Sequence, residues 1–255
     1  MKKWRSIKDK LYAPIFGVVF VIAWQIVAKG GIVPHFMLPA PTDVVLALIE
    51  DWKLIIESAY VTLSEAAIGL GLSIALSFAM AILMDKVEIL HKIFYPIAIV
   101  SQTVPTVAIA PLMVLWFGFG MLPKILLVWL ACFFPLLVAL LTGFEASDKN
   151  VLRLYRSMNA PYLKVLFDVK IPYALDSFFS GLRISASYSI VGAVIAEWLG
   201  GEGGLGVYMT RVRKSYRFDK MFAVIIVVSV LSLLLIWLVD TIKKKSMPWK
   251  KYEKG

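Results

Sequence analysis

The stretch YRSMNAPYLKVLFDVKIP, residues 155–172, places charged residues and two prolines between two long apolar runs. Just upstream, Asp148 has a side chain suited to capping the start of a helix. Asn159 is predicted to end that helix, because Asn tolerates the left-handed conformation that closes many helices. Arg153 and Arg156 are three residues apart and therefore share one face of it.

A second helix is predicted after this turn. Pro161 suits a first-turn position, where the N–H that proline lacks would have no helical partner. Pro172 is predicted to stop the helix. The stretch is thus predicted to be a hairpin of two short helices, within a loop of about 145–177. One amphipathic stripe with the spacing i, i+3, i+4, i+7 runs along its second helix: Tyr162, Val165, Leu166 and Val169.

The composition around the hairpin is that of a membrane protein. Of the 255 residues, 60% are hydrophobic and 17% are charged, and the mean hydropathy is +0.81. A soluble domain is nearer half apolar. A membrane-spanning helix needs about 20 mainly apolar residues. The sequence therefore predicts an all-α, polytopic membrane protein with one transmembrane domain over 1–255. Its six predicted spans are about 11–28, 62–84, 93–117, 124–144, 178–199 and 221–240.

The distribution of Lys and Arg predicts which side of the membrane each segment faces. With the N-terminus inside, nineteen of the 27 Lys and Arg residues fall in inner segments and eight in outer segments. Inner loops normally carry the excess, so both termini and the hairpin are predicted to be cytoplasmic. The basic cluster at 211–220 argues the other way. The net charge of +10 is read as a sign of orientation, and no nucleic-acid partner is predicted.

Two further patterns concern helix shape and packing. Prolines inside the third and fourth spans predict kinks: Pro96, Pro105, Pro111 and Pro135. In the second span, small residues at every fourth position predict a groove where another helix packs closely: Ala67, Gly71, Ala75 and Ala79.

Polar residues inside the predicted spans are candidates for a translocation pathway, because such residues are costly in a membrane and usually functional. Glu197 is expected at its outer mouth. Hydrogen bonding between helices stays open as the alternative for the serines, and a simple interfacial position for Glu197. The predicted pathway residues are Ser101, Gln102, Thr103, Ser185, Tyr188, Ser189 and Glu197.

The sequence carries few signs of bond chemistry. GEGGLG, residues 201–206, fits a dinucleotide-binding pattern but follows a membrane span and not a strand. No G-x-x-x-x-G-K-[ST] motif occurs, so any ATP is expected to be hydrolysed by a partner. His35 and His91 are the only histidines, on opposite predicted sides, and Cys132 is the only cysteine. No enzyme activity, cofactor or metal site is predicted.

Three further stretches resemble a known family. LPAPTDVVLAL (38–48), TVPTVAIAPLMVLWFGFG (103–120) and GLRISASYSIVGAVIAEWLGGEGGLGVYM (181–209) resemble the first outer loop, third span and fifth span of ABC-importer permease subunits of the nitrate, sulfonate and taurine type. The resemblance covers nearly the whole chain, in order. It implies a homodimer in a bacterial or archaeal cytoplasmic membrane, with two cytoplasmic ATPase subunits and an extracytoplasmic solute-binding protein.

In such permeases, the loop that corresponds to 145–177 carries the coupling helix, which docks in a cleft of the ATPase. Aligning the final proline of the family motif on Pro172 places its Glu-Ala-Ala on 153–155 and its glycine on Asn159. The chain departs from the motif at these positions and keeps the Ile-Pro ending. An amphipathic hairpin lying on lipid headgroups is the alternative that the residues alone leave open. The coupling residues implied by the resemblance are Arg153, Arg156, Asn159, Ala160, Pro161, Tyr162, Val165, Leu166 and Pro172.

The sequence only narrows the transported solute. Permeases of this type import nitrate, alkyl sulfonates, taurine, riboflavin or thiamine-pyrimidine precursors. Within the predicted spans, the positive charge available to an anion is that of Arg183, which favours a neutral or zwitterionic heteroaromatic solute. The alternative is an ion-coupled secondary transporter, which typically has buried charged pairs and inverted repeats. The sequence shows neither feature.

Overall fold

The computed structural model describes residues 2–31, 34 and 37–248, and within them it contains helices and no strand. The predicted all-α class is confirmed. The chain divides into a smaller compact unit, Met1–Ser58 with Tyr208–Val227, and a larger one, Ala59–Val207 with Val228–Gly255. In chain order the helices are α1 (Lys2–Lys29), α2 (Pro41–Glu50), α3 (Trp52–Lys86), α4 (Glu88–Ser101), α5 (Thr106–Phe117), α6 (Met121–Glu145), α7 (Lys149–Ser157), α8 (Tyr162–Val165), a π-helical turn (Leu166–Lys170), α9 (Ile171–Leu199), α10 (Leu205–Lys214) and α11 (Phe218–Ser246).

Four helical stretches are long and apolar enough to cross a membrane: α3, α6, Tyr162–Leu199 and α11. The apolar part of α1 is the shorter Pro14–Lys29. The described residues thus give four membrane-crossing helices, or five if the bent pair α4 and α5 forms one span, where the sequence predicted six. Each of the four contains one predicted span: 62–84, 124–144, 178–199 and 221–240.

The predicted span 93–117 is wrong as one continuous helix, because α4 and α5 meet at 104°. Bonds from each N–H to the carbonyl three residues back tighten the last turn of α4 at Gln102, Thr103 and Val104. Pro105 follows as the N-cap of α5. Proline disfavours helical geometry in the residue before it, so the chain breaks here instead of kinking.

α6 and α9 pack together at the centre of the larger unit. A Cβ added to Gly181 would lie 2.6 Å from the Cβ of Ala139, and one added to Gly143 would lie 2.6 Å from the Cα of Ala174. Small residues let helix backbones approach in membranes, where association depends on packing. Side chains from both helices are fully buried around this contact: Leu136, Leu140, Ala186 and Ile190.

The small-residue stripe predicted on the second span is not the face of α3 that packs within this chain. Its four residues are exposed: Ala67, Gly71, Ala75 and Ala79. The packed face is offset from this stripe and includes Ala66, Gly69 and Ser73, which are buried. A Cβ on Gly69 would lie 2.5 Å from Val128, whereas one on Gly71 would meet nothing within 4 Å.

In the smaller unit, a network of charges surrounds Asp51. Lys220 Nζ lies 2.8 Å from Asp51 Oδ2, and the Tyr208 hydroxyl donates to the same oxygen. Burial opposes ionisation of Asp51, but the hydrogen bonds from Lys220 and Tyr208 outweigh it and lower the pKa of this carboxyl. Arg217 pairs with Glu50 at 3.1 Å. Two cations of the predicted basic cluster are thus neutralised.

Candidate functional site

The turn of the hairpin forms as predicted. The Asp148 side chain accepts a hydrogen bond of 2.7 Å from the N–H of Asn150 and so caps α7. Asn159 has a φ of 54°, and its N–H donates to the carbonyl of Arg156. The N–H of Ala160 donates to the carbonyl of Tyr155. This pair of bonds is a complete Schellman motif, which closes a helix and reverses the chain.

The prediction that Pro172 stops the second helix is wrong. Pro161 is the N-cap of α8, and the chain stays helical from Tyr162 to Leu199. Leu166–Lys170 forms a π-helical turn, and the N–H of Ile171 donates to the carbonyl of Leu166, five residues back. Pro172 follows as the second residue of α9, directly after the π-helical turn, where the regular i→i−4 bonding is already interrupted.

The amphipathic stripe of the second helix faces the core of its own chain. The Leu166 side chain is fully buried, and Tyr162 packs against the same core. The Tyr162 hydroxyl donates to Asp85 Oδ2 over 2.9 Å, and Lys170 Nζ lies 2.6 Å from Asp85 Oδ1. Tyr162 and Leu166 therefore anchor the hairpin to the end of α3, which the sequence did not predict.

A different set of side chains forms the free surface of the hairpin. Arg153, Arg156 and Asn159 are exposed, as is Pro161, whereas the other predicted coupling residues are half-buried or buried. Four large apolar side chains, here named the exposed hairpin face, are between 57% and 67% exposed. They are Leu154, Met158, Leu163 and Phe167.

A cavity of about 330 Å³, here named the Gln102 cavity, lies where α4 and α5 break apart. It brings together three predicted pathway residues, Ser101, Gln102 and Tyr188. Thr103 is exposed and lies outside its lining. The sequence missed the α6 contribution, because the apolar Phe134 carries no polar signal. The other lining residues are Val104, Pro105, Thr106, Ile109, Leu130, Ala131, Phe134, Pro135, Val191 and Gly192.

Ser185 and Ser189, the predicted pathway serines of α9, do not line this cavity, and both are completely buried. Ser185 Oγ donates to the carbonyl of Cys132 over 3.3 Å, and Cys132 Sγ donates to the carbonyl of Ser185 over the same distance. Ser189 Oγ donates to the carbonyl of Ala186 over 2.8 Å. Ser185 thus has the alternative role, hydrogen bonding between helices, and Ser189 bonds within its own helix.

Glu197 is buried and does not stand at an open mouth. Its Oε1 accepts from the Thr62 hydroxyl over 2.7 Å, and its Oε2 accepts from the N–H of Gly206 over 2.6 Å. Glu65 and Lys124, with side chains 2% and 5% exposed, form an ion pair of 2.7 Å. The expectation that buried charged pairs are absent is therefore wrong, and Lys124 is a cation within the predicted spans in addition to Arg183. The sequence does carry a signal for this pair. Glu65 lies near the start of the predicted span 62–84, and Lys124 is the first residue of the predicted span 124–144.

A second cavity, here named the Lys124 cavity, has a volume of about 710 Å³. The start of α3, the turn between α5 and α6, and the loop after α9 form its walls. Its lining residues are Val61, Ser64, Glu65, Phe119, Gly120, Met121, Lys124, Gly200, Gly201, Glu202 and Gly203.

Metal binding has no support among the residues that the structure describes, since they hold no group of three or more His, Cys, Asp or Glu side chains placed to hold an ion. His35 lies outside the described residues. Cys132 is buried in the α6–α9 contact.

The amino-acid sequence of this chain matches a known family. The family of the binding-protein-dependent transport system inner membrane component matches residues 67–247. This chain belongs to that family. A probable ABC transporter permease protein of Haemophilus influenzae is 36% identical over 91% of this chain and 96% of its own length.

Other relatives carry names for different solutes. The formylaminopyrimidine transport permease protein of Halalkalibacterium halodurans is 31% identical, over 93% of this chain and 95% of the relative. A putative aliphatic sulfonates transport permease protein of Bacillus subtilis is 28% identical, over 93% of this chain and 87% of the relative. The chain is thus an ABC importer permease subunit, and ATP hydrolysis belongs to a partner subunit.

The fold agrees with this membership. A chain of the inward-facing MetNI methionine ABC transporter superimposes with a TM-score of 0.67 at 15% identity, covering 76% of this chain and 96% of the other. Family membership also decides against the ion-coupled secondary transporter, which the buried Glu65–Lys124 pair would otherwise favour. As a family member the chain is a multi-pass membrane protein that associates with an ATPase and a binding protein.

Proposed function

We propose that two copies of this chain form the pathway of an importer for a small, neutral heteroaromatic solute, such as an aminopyrimidine. The solute arrives from an extracytoplasmic binding protein, passes the Gln102 cavity and is released to the cytoplasm. Both termini and the hairpin are cytoplasmic, and the hairpin couples the pathway to the ATPase. The chemistry of the Gln102 cavity is the observation that carries the choice of solute.

None of the lining residues of the Gln102 cavity, all within the described part of the chain, carries a charge. Gln102 offers an amide, and Tyr188 offers a hydroxyl and an aromatic face. Phe134 adds a second ring. Arg183 is absent from the lining and lies 3.7 Å from Asp240. Amide and aromatic groups suit a flat ring with nitrogen donors and acceptors, whereas an anion would leave its charge unpaired.

The size of the cavity agrees with a single-ring solute. Its volume of about 330 Å³ is at the lower end of small-molecule sites, which run from roughly 300 to 1,000 Å³. The formylaminopyrimidine permease among the relatives is named for a solute of this class.

Uptake by the transporter reconstituted with its ATPase and binding protein tests the proposed solute. Gln102→Ala and Tyr188→Phe should each raise KM for a formylaminopyrimidine about tenfold, because each removes a hydrogen bond to the solute. Thr103→Ala is the matched control and should leave KM unchanged. Preferential uptake of taurine or an alkyl sulfonate by the wild type would overturn the proposal.

Coupling to the ATPase is proposed to use the exposed hairpin face, with Arg153 and Arg156 at its rim. Apolar side chains on one face of a short helix are the usual anchors when a helix docks in a groove. Leu163→Asp with Phe167→Asp should lower copurification of the ATPase at least tenfold, while the permease stays folded because both side chains are 62% exposed. Asp168→Asn, on the same exposed surface, is the control.

The same variants separate docking from the lipid-headgroup alternative. If Leu163 and Phe167 rest on lipid, the double variant should retain the ATPase fully. The orientation is tested separately with Ser157→Cys in intact cells, since Cys132 is buried and unreactive. Labelling of the introduced thiol by a membrane-impermeant maleimide added outside would contradict a cytoplasmic hairpin.

A further inference from the structure

The segment after α9, residues 200–206 and here named the glycine loop, includes the first two residues of α10 and lies directly on its neighbours. Gly200 and Gly204 have φ values of +156° and +116°, where residues other than glycine are strained. A Cβ on Gly200 would overlap the Phe119 ring, and one on Gly204 would overlap the Glu197 carboxyl. The glycines are needed both for the turn and for this close contact.

Buried polar groups fasten the loop in this position. The N–H of Gly206 donates to Glu197 over 2.6 Å, and the N–H of Leu205 donates to Thr62 Oγ1 over 2.9 Å. The Thr62 hydroxyl donates in turn to Glu197, so that one hydroxyl joins α3, the loop and α9. On the other side, Lys124 Nζ lies 3.4 Å from the carbonyl of Gly203.

Buried polar groups hold the loop in place, although apolar packing would cost less free energy. Two carboxyl groups and one ammonium are buried together, and Glu65 Oε2 accepts no hydrogen bond from any residue that the structure describes. Replacing a buried ion pair by apolar side chains is often neutral or stabilising. A polar contact exchanges its partners for water when it opens, whereas a packed apolar contact does not. The arrangement therefore suits a segment that must be released.

The glycine loop also borders the Lys124 cavity. Gly200, Gly201 and Gly203 form one wall of the Lys124 cavity, and α3 forms the opposite wall. Along α6, Lys124 precedes Ala131 of the Gln102 cavity by seven residues, which is two turns and about 10 Å on the same face. The two cavities therefore follow one another along α6. The glycine loop lies beside the Lys124 cavity, at the C-terminal end of α9.

We propose that the glycine loop is a gate of this subunit's solute pathway, and that Thr62, Lys124 and Glu197 are the positioning residues that hold it shut. Release of the loop from Glu197 and Thr62 opens the Lys124 cavity towards the side from which solute arrives. The proposal rests on the proposed function for the direction of transport, and adds the element that controls access.

A disulfide across the closed gate provides the test. A Cβ on Gly203 lies 3.7 Å from Val61 Cγ2, which is about where the sulfur of a cysteine at 61 would lie, so Val61→Cys with Gly203→Cys is the pair chosen to form a bridge. In the reconstituted transporter, oxidation should lower uptake of a formylaminopyrimidine at least tenfold, and a reductant should restore it. Each single variant is a control and should be insensitive to oxidant. ATP hydrolysis without binding protein should persist and so show that the assembly is intact.

Loosening the loop gives the complementary measurement. In the Gly203→Cys background, Thr62→Val should raise the rate of maleimide labelling about tenfold, because it removes two hydrogen bonds of the fastening. Thr62→Ser keeps the hydroxyl and should label at the parent rate.

Three results would overturn the gate: full disulfide formation with unchanged uptake, cysteines that both stay free under oxidant, or equal labelling of the Thr62→Val and parent proteins. A wild type that takes up no formylaminopyrimidine would instead refute the proposed solute. The labelling rates judge the closed loop independently of that result.

Discussion

The two ends of α9 lead into different segments, and an acidic side chain holds each of these segments in a different way. At its start, Asp85 receives Lys170 and Tyr162, and the Asp85 side chain is 13% exposed. At its end, Glu197 is completely buried and accepts one hydrogen bond from Thr62 of α3 and one from the N–H of Gly206. The hairpin has helical order of its own, whereas the glycine loop depends on distant residues. The first should tolerate changes on its free face, whereas the second should tolerate a side chain at Gly203 but not at Gly200 or Gly204.

The largest expected effect separates the two faces of the hairpin. Leu166→Asp places a charge in the core and should cost about 4 kcal/mol of folding free energy, seen as loss of folded protein in detergent. Leu163→Asp should cost less than about 0.5 kcal/mol, because that side chain is exposed. Equal losses in thermal unfolding would show that the two faces of the hairpin do not differ in packing.

At the glycine loop, a single methyl group should be enough to disturb the structure. Gly204→Ala meets the Glu197 carboxyl and a strained φ, and should lower stability by about 3 kcal/mol. Gly203→Ala adds the same methyl group at ordinary contact distance and should be nearly neutral. Thermal melts of the two purified variants make the comparison, and a neutral Gly204→Ala would show that the loop has room for a side chain.

The anchor at the start of α9 should be weaker than the steric constraint at its end. Asp85→Asn keeps the shape but leaves Lys170 without its charge partner, for a loss of about 1.5 kcal/mol. Tyr162→Phe removes only the hydroxyl contact and should cost about 1 kcal/mol. If Asp85→Asn lowers folding stability more than Gly204→Ala does, the segment at the start of α9 is held more strongly than the one at its end, contrary to this prediction.

The smallest expected effect on stability concerns Asp51 of the smaller unit. It serves as a reference for the effects at the two ends of α9. The pKa of Asp51 is lowered in the folded state, so its contribution is present above its ordinary value of 3.8 and is lost as pH falls through the lower folded value. The loss should be below about 1 kcal/mol, and Asp51→Asn should abolish it. Stability of wild type and variant between pH 5 and about pH 2.5 is the measurement, and parallel curves would contradict the assignment.

The difference between local order at the hairpin and long-range contacts at the glycine loop explains which features the sequence predicts. The helix cap at Asp148, the left-handed Asn159 and the amphipathic stripe are local patterns, and each appears in the structure. The stripe gives no indication of which partner it meets. The resemblance implies that Leu166 contacts the ATPase, whereas the structure places it in the chain's own core. Glu197, Thr62 and Lys124 lie far apart in sequence, and no local pattern brings them together. The break at 102–105 was expected as a kink, because periodicity alone does not distinguish a bend from a change of direction.

The unbroken run from Tyr162 to Leu199 has a mechanical consequence. At 1.5 Å per residue its 38 residues form a rod of about 57 Å, nearly twice the roughly 30 Å of a hydrocarbon core. Such a rod is a lever: a tilt of about 10° about one end displaces the other by about 10 Å. The π-helical turn near one end is the one place in this run where the hydrogen-bond register changes. In the proposed coupling, a push received at the hairpin reaches the glycine loop through this single run of helix, and the π-helical turn is where the run is most easily bent.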